Sequence, residues 1–214
     1  MTAPDAPRAA DPALRDGGHA DGATRTLDSV RGRTAPGAPL ELGPMPARRR
    51  MRTLDERVVR VSVESIFALA CDVERWPALL RHYRAVRFLD RRADGGGIVE
   101  MAADRPFAVA NWPTWWMSEM RITRPPDPPA IRFRHIGGIT RGMEVEWTFA
   151  PLGPPFAPER AHGATRVRIL HLWDGPGWPI VGSVAAVGVI GPVFVHGIAS
   201  RTLAGLAAAA EAGR

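Results

Sequence analysis

The stretch Trp116-Met117-Ser118-Glu119-Met120-Arg121-Ile122-Thr123 decides the architecture. Successive side chains of a strand point to opposite faces, so it sorts into two rows. Trp116, Ser118, Met120 and Ile122 form one row. Met117, Glu119, Arg121 and Thr123 form the other, and their charges mark it as outward. The same sorting repeats along the chain. Ile131, Phe133 and His135 point inward between Arg132 and Arg134. Met143, Val145, Trp147 and Phe149 stand against Glu144 and Glu146. Val167, Ile169, His171 and Trp173 stand against Arg166 and Arg168, and Val99, Met101 and Ala103 complete the wall. Alternation this regular predicts an antiparallel sheet with one apolar and one solvated face.

Working outward, strands are expected over 85–91, 98–103, 115–124, 131–136, 143–150 and 165–173. Asp94-Gly95-Gly96-Gly97 lies between two of them. No Lys-Ser/Thr and no helix follow, so it reads as a hairpin turn and not a phosphate loop. Upstream, 56–61 is a short β-rich run and Ser62 suits an N-cap. Val63, Ile66, Phe67 and Ala70 then fall on one helical stripe. Pro77 ends that helical region and opens a second short helix from Ala78 to about His82. At the far end Val195, Ala199, Leu203, Leu206 and Ala210 form the apolar stripe of a terminal helix. The order is one strand, two helices, six strands and a helix.

The chain has 214 residues and 45% apolar composition, enough for one domain with an appendage. Cys71 is its single cysteine, which excludes an internal disulfide framework and a multi-cysteine zinc site. All 28 basic residues are arginine, and the net charge is only +6. That charge is small and scattered, so no nucleic acid is expected as a partner. Residues 1–53 hold no Phe, Trp or Tyr and are rich in Ala, Pro, Gly and Arg. They read as a disordered segment, with the ordered domain over 54–214. No apolar run follows Met1, so no secretory signal is expected. Arg48-Arg49-Arg50-Met51-Arg52 resembles the start of a twin-arginine signal, but the polar Thr53-Leu54-Asp55-Glu56-Arg57 follows. A solvated linker is the main reading, and contact with an anionic surface the weaker one. Residues 175–200 carry no charged side chain, a length that could span a bilayer. Pro179 and Pro192 interrupt it and Gly182, Gly188, Gly191 and Gly197 dilute it, which favours a buried or interfacial helix broken at Gly191-Pro192. The expected location is cytoplasmic, with peripheral contact at the inner face of the membrane left open.

Val61-Ser62-Val63-Glu64-Ser65-Ile66-Phe67 leads to Asp72-Val73-Glu74-Arg75-Trp76-Pro77-Ala78-Leu79-Leu80. Later come Trp147-Thr148-Phe149-Ala150-Pro151-Leu152 and Thr165-Arg166-Val167-Arg168-Ile169. On these residues and on the element order, about 55–212 resembles the START-like helix-grip superfamily (SRPBCC). That superfamily includes polyketide cyclase/aromatases and coenzyme Q-binding START proteins. The resemblance implies an α+β helix-grip fold, a seven-stranded curved antiparallel sheet around a long C-terminal helix in β-α-α-β6-α order. It implies a deep apolar cavity and a hydrophobic ligand: a lipid, an isoprenoid quinone or a polyketide. Aromatase/cyclases of the family carry a cavity arginine and a tyrosine. The inward rows here hold no arginine, and Tyr83, the only tyrosine, falls in the entrance region.

His135 and His171 are the polar exceptions on the inward rows. Burial favours neutral imidazole, which can still take or give a proton near neutral pH. Cyclising a poly-β-ketone needs a base at the carbon alpha to a carbonyl and an acid for the departing hydroxyl. His135 and His171 are therefore the catalytic candidates, against the plainer reading of satisfied core histidines. No metal is expected, because no carboxylate or thiol is predicted beside them on the inner face, and no cofactor is expected. The candidate ligand wall is Met101, Trp116, Ser118, Met120 and Phe133, then Val145, Trp147, Ile169 and Trp173. His196 of the terminal helix reaches toward the cavity mouth. Two functions compete: a carrier of a hydrophobic small molecule, and a cyclase or dehydratase acting on a polyketide borne by an acyl carrier protein. A membrane surface stays open as a partner. A ribosome-directed scaffold is a third reading, and nothing in the sequence marks its surface.

Overall fold

The period-two stretches pair into one sheet. The computed structural model describes residues 35, 37–107, 110–153, 163–176 and 194–213. Strand β1 (Met51–Val59) is followed by helix α1 (Val63–Cys71), whose N-cap Ser62 accepts from the Ser65 N–H. One 3₁₀ turn, Val73–Arg75, leads into the short helix α2 (Trp76–Leu79). This helix starts two residues before the expected Ala78. Pro77 sits inside its first turn, where a missing N–H leaves no bond unmade. Then come β2 (Tyr83–Arg91), β3 (Gly97–Phe107), β4 (Ala110–Thr123), β5 (Ala130–Gly138), β6 (Glu144–Leu152) and β7 (Ala164–Trp173). Helix α3 (His196–Ala212) closes the order.

The seven strands are antiparallel in the order β1-β7-β6-β5-β4-β3-β2. The sheet curves about α3, as the helix-grip α+β fold requires. Its inner face buries Val99, Met120, Phe149 and Val167 with Ile66 and Phe67 of α1 and Leu203 and Leu206 of α3. Full burial of such a side chain is worth about 1.5–3 kcal/mol. The β4–β5 register shifts between Met117 and Ser118: Met117 faces Gly137 and Ser118 faces His135. Ile136 is the extra residue. Such a bulge re-aims a side chain, and Ile136 packs on the outer face against Met117.

The outer face is not left to solvent, and here the sequence reading is corrected. Leu40 and Leu42 are each 2% exposed and pack on Ile98 and Met117. The strap that carries them is held by its own carbonyls. Arg92 donates to Ala35 O and Ala38 O, Arg132 to Gly43 O, and Arg134 to Leu42 O. Beneath it Glu100, Glu119 and Glu144 are buried and paired with Arg87, Arg132 and Arg134. Order thus begins before residue 54, at least from 37. Two leucines and a row of backbone acceptors anchor a segment that has no aromatic residue. Residues 1–34 lie outside the described residues, as does 177–193, most of the uncharged stretch. No described helix is long and apolar enough to cross a membrane.

Candidate functional site

Between the sheet and α3 lies a pocket of about 570 Å³ of non-atom space, its open mouth included. Rings from α2, β2, β4, β5 and β6 meet around it. Trp76 of α2 meets Trp147 of β6 at 5.7 Å between centroids, and Tyr83 of β2 edge-on at 5.2 Å. Tyr83 meets Trp116 of β4 at 6.1 Å, and Trp116 stacks on His135 at 6.0 Å and 10°. Phe194, Val195, Ile198 and Ala199 close the pocket from the start of α3.

The structure brings together Met101, Trp116, Phe133, His135, Val145, Trp147, Ile169 and His171 on this lining. Ser118, Met120 and Trp173 share the inward rows but are buried beneath it, not on it. The hydroxyl of Ser118 has no hydrogen-bond partner among the described residues. Trp173 donates its indole N–H to Arg141 O at 3.0 Å. His196 does not line the pocket either; it is exposed and lies against β1. Tyr83, placed by the sequence at the entrance, is 6% exposed and lines the interior.

Threonines hold the histidines. His135 Nδ1 lies 2.7 Å from Thr140 Oγ1 in the turn between β5 and β6. His171 Nδ1 lies 3.3 Å from Thr53 Oγ1 of β1. Thr202 of α3 donates its hydroxyl to Ile198 O at 2.8 Å. That leaves its oxygen as an acceptor, so His82 Nε2, 3.0 Å away, carries the proton. Tyr83 Oη lies 3.5 Å from the same oxygen. Burial, helped by the charge on His196, pushes His171 down to about 3. It is neutral at physiological pH and a weak base.

The inner face also carries a carboxylate that the sequence reading did not place there. Asp55 of β1 is 5% exposed, and its Oδ1 lies 2.6 Å from His196 Nδ1. Its Oδ2 has no hydrogen-bond partner among the described residues. Asp55 faces Ile169 and Thr53 faces His171 in the β1–β7 register, so Asp55 is one inward step from the His171 pair. Among the described residues no three His, Cys, Asp or Glu side chains are arranged to hold a metal ion.

Several lining residues escaped the sequence reading. Thr140 stands in a turn, where no periodicity applies. Met143 was legible in its inward row, and Val195 and Ala199 in the helical stripe, yet neither pattern separates core from pocket wall. Thr202 follows Ala199 by one short helical step and was findable as the polar member of that stripe.

Sheet, grip helix and pocket define a START-like protein. A family described as "Polyketide cyclase / dehydrase and lipid transport" matches residues 59–190, and the chain belongs to that family. Three solved structures share the fold. TTHA0849 from Thermus thermophilus is 18% identical, with 76% of this chain and 98% of that one covered at a TM-score of 0.57. The Zhui aromatase/cyclase from Streptomyces sp. R1128 is 14% identical, with 75% and 93% covered at 0.59. A START superfamily protein from Mycobacterium smegmatis is 19% identical, with 77% and 96% covered at 0.51. No curated protein shows significant sequence similarity to the chain.

Proposed function

We propose that the protein binds an uncharged hydrophobic small molecule in this pocket and holds it as a carrier. Lipids, isoprenoid quinones and polyketides are the classes that suit it. The supporting observation is the lining: among the described residues it includes no Asp, Glu, Lys or Arg, and apart from His135, His171, Thr140 and Thr202 it is built of aromatic and aliphatic side chains. A charged group buried there would find no counter-charge, which is costly. The His135–Thr140 and His171–Thr53 pairs supply hydrogen-bonding points for carbonyl or hydroxyl oxygens. The test is native mass spectrometry of the full chain from its own host, with titration of the neutral fluorophore N-phenyl-1-naphthylamine. One probe per chain is expected, and Val145→Arg, an unpaired charge on the lining, should abolish binding. A folded Val145→Arg variant that still binds the probe would overturn the reading.

A cyclase acting on a carrier-protein-bound polyketide is the second reading. The family supports it, and so does the 2.7 Å contact of His135 with Thr140, which orients the ring. In that reading His135 is the base that takes the proton alpha to a carbonyl, because His171 is too weak a base. Product formation from an unreduced poly-β-ketone on its carrier protein tests it. His135→Gln should lower turnover roughly a hundredfold. Wild-type turnover no faster than the spontaneous reaction removes the enzyme.

A further inference from the structure

His135, Phe194 and Ile198 are the lining residues that are only partly buried, so the pocket opens between the end of β5 and the start of α3. The turn after β5 stands beside this opening. Its Ile139 is 41% exposed, and Arg141 next to it is exposed too. The Trp173 indole N–H donates to Arg141 O at 3.0 Å, tying the turn to the end of β7. Met51 faces Trp173 in register, and Asp174 accepts from Arg49 Nη1 at 2.6 Å and from the Arg50 N–H at 3.1 Å. Exposed Arg48, Arg49, Arg50 and Arg52 therefore lie at the same end as Ile139, Arg141 and the opening. Asp174 offsets one of these charges. Among the described residues Arg48, Arg52 and Arg141 have no ion pair. The chain that continues from Asp174 has no Asp, Glu, Lys or Arg from 175 to 200.

We propose that this end of the molecule docks on an anionic lipid surface, where the pocket exchanges its ligand. The exchange rests on the carrier reading; the docking does not. An apolar tip flanked by arginines suits the boundary between headgroups and acyl chains: Ile139 enters it while the guanidinium groups stay among the phosphates. An acidic protein would meet the arginines but would leave the exposed Ile139 without an apolar partner.

The experiment is co-sedimentation of the full chain with vesicles of phosphatidylcholine, alone or mixed with phosphatidylglycerol. Binding is expected only to the mixed vesicles, and should fade near 1 M salt, where the screening length is about 3 Å. The variant Arg50→Gln/Arg52→Gln/Arg141→Gln removes three charges. The contacts of Arg50 and Arg141 described above run through their backbones, so they survive. At roughly fivefold per arginine, its binding should fall on the order of a hundredfold. Ile139→Ser should weaken binding to the mixed vesicles and leave the salt dependence unchanged. Equal binding by the triple variant and the wild type overturns the proposal, as does a wild type that binds no vesicles. In the second case, loss of affinity for an acidic acyl carrier protein in the triple variant would assign the surface to a protein partner. N-phenyl-1-naphthylamine titration without vesicles separates the two readings: vesicle binding without probe binding ends the carrier and leaves the docking surface standing.

Discussion

Asp55 Oδ1 and His196 Nδ1 lie 2.6 Å apart and join the first strand to the first turn of α3, beside the pocket-lining Val195. Burial raises the Asp55 carboxyl above its ordinary value, and the His196 contact offsets only part of this. A carboxyl raised on folding contributes stability that is complete below its unfolded value, 3.8, and is lost as pH rises through the folded value. Ionised Asp55 is therefore a net burden at neutral pH. Asp55→Asn is expected to melt above the wild type at about pH 7 and level with it near pH 4. Paired thermal melts decide, and a lower melting point for the variant at neutral pH would show that the ion pair outweighs burial.

His171 has the opposite sign. Its pKa falls on folding from 6.5 to about 3, because burial penalises the imidazolium and the His196 charge adds to this. The folded chain refuses a proton that the unfolded chain accepts. This stability is complete above 6.5 and is lost as pH falls toward 3, at up to roughly 1.4 kcal/mol per pH unit. His171→Asn, which can still bond Thr53, should flatten that part of the profile. Urea unfolding of both chains across the window tests it. Parallel profiles would mean that His171 is reached by water and titrates normally.

The strap makes the next prediction. Leu40 and Leu42 supply the buried apolar contact between the strap and the sheet. Truncating a buried leucine to alanine costs about 2–5 kcal/mol. Leu42→Ala should therefore lower the melting point by roughly 5 °C or more for a domain of this size. Removal of residues 37–50 should destabilise further, because Arg92, Arg132 and Arg134 lose carbonyl acceptors and Glu119 and Glu144 lose their cover. A truncated chain beginning at Met51 that melts with the full one would reduce the strap to a passive wrapping.

Local periodicity explains why so much of the fold was legible. Each inward row from Val99 to Trp173 repeats at period two, and the helical stripes of α1 and α3 at period 3.6, so β3 to β7 and both long helices could be placed from neighbours in sequence, whereas β1, read as 56–61, runs over Met51–Val59. The pocket was legible only as a face. Met120 and Val145 share the same apolar pattern, yet Met120 is covered and Val145 lines the space. That difference depends on how far α3 stands from each strand, which no local pattern encodes. Asp55 was missed because β1 is polar on both faces, so alternation gave it no side. Leu40 and Leu42 were missed because their anchors are backbone carbonyls, which leave no mark in composition.

Thr140 offers the sharpest division between carrier and enzyme. Its side chain is 2% exposed, and its hydroxyl meets His135 Nδ1 at 2.7 Å across the β5–β6 turn. Thr140→Val keeps the shape and removes the hydroxyl, so His135 loses an orienting partner while the stack on Trp116 remains. In a carrier the loss is one neutral hydrogen bond, worth about 0.5–1.5 kcal/mol. Probe affinity should then change by at most about tenfold, in parallel for Thr140→Val and His135→Gln. In a cyclase, Thr140 is a positioning residue. Thr140→Val would lower kcat with KM nearly unchanged and shift the pH profile of turnover, because the ring that takes the proton would no longer be held in one orientation. The carrier outcome is expected: unchanged stoichiometry, a modest affinity change in both variants, and no turnover above the spontaneous reaction in the wild type. A fall in kcat that His135→Gln and Thr140→Val share, with the melting points of both preserved, would establish the enzyme and place its base at His135.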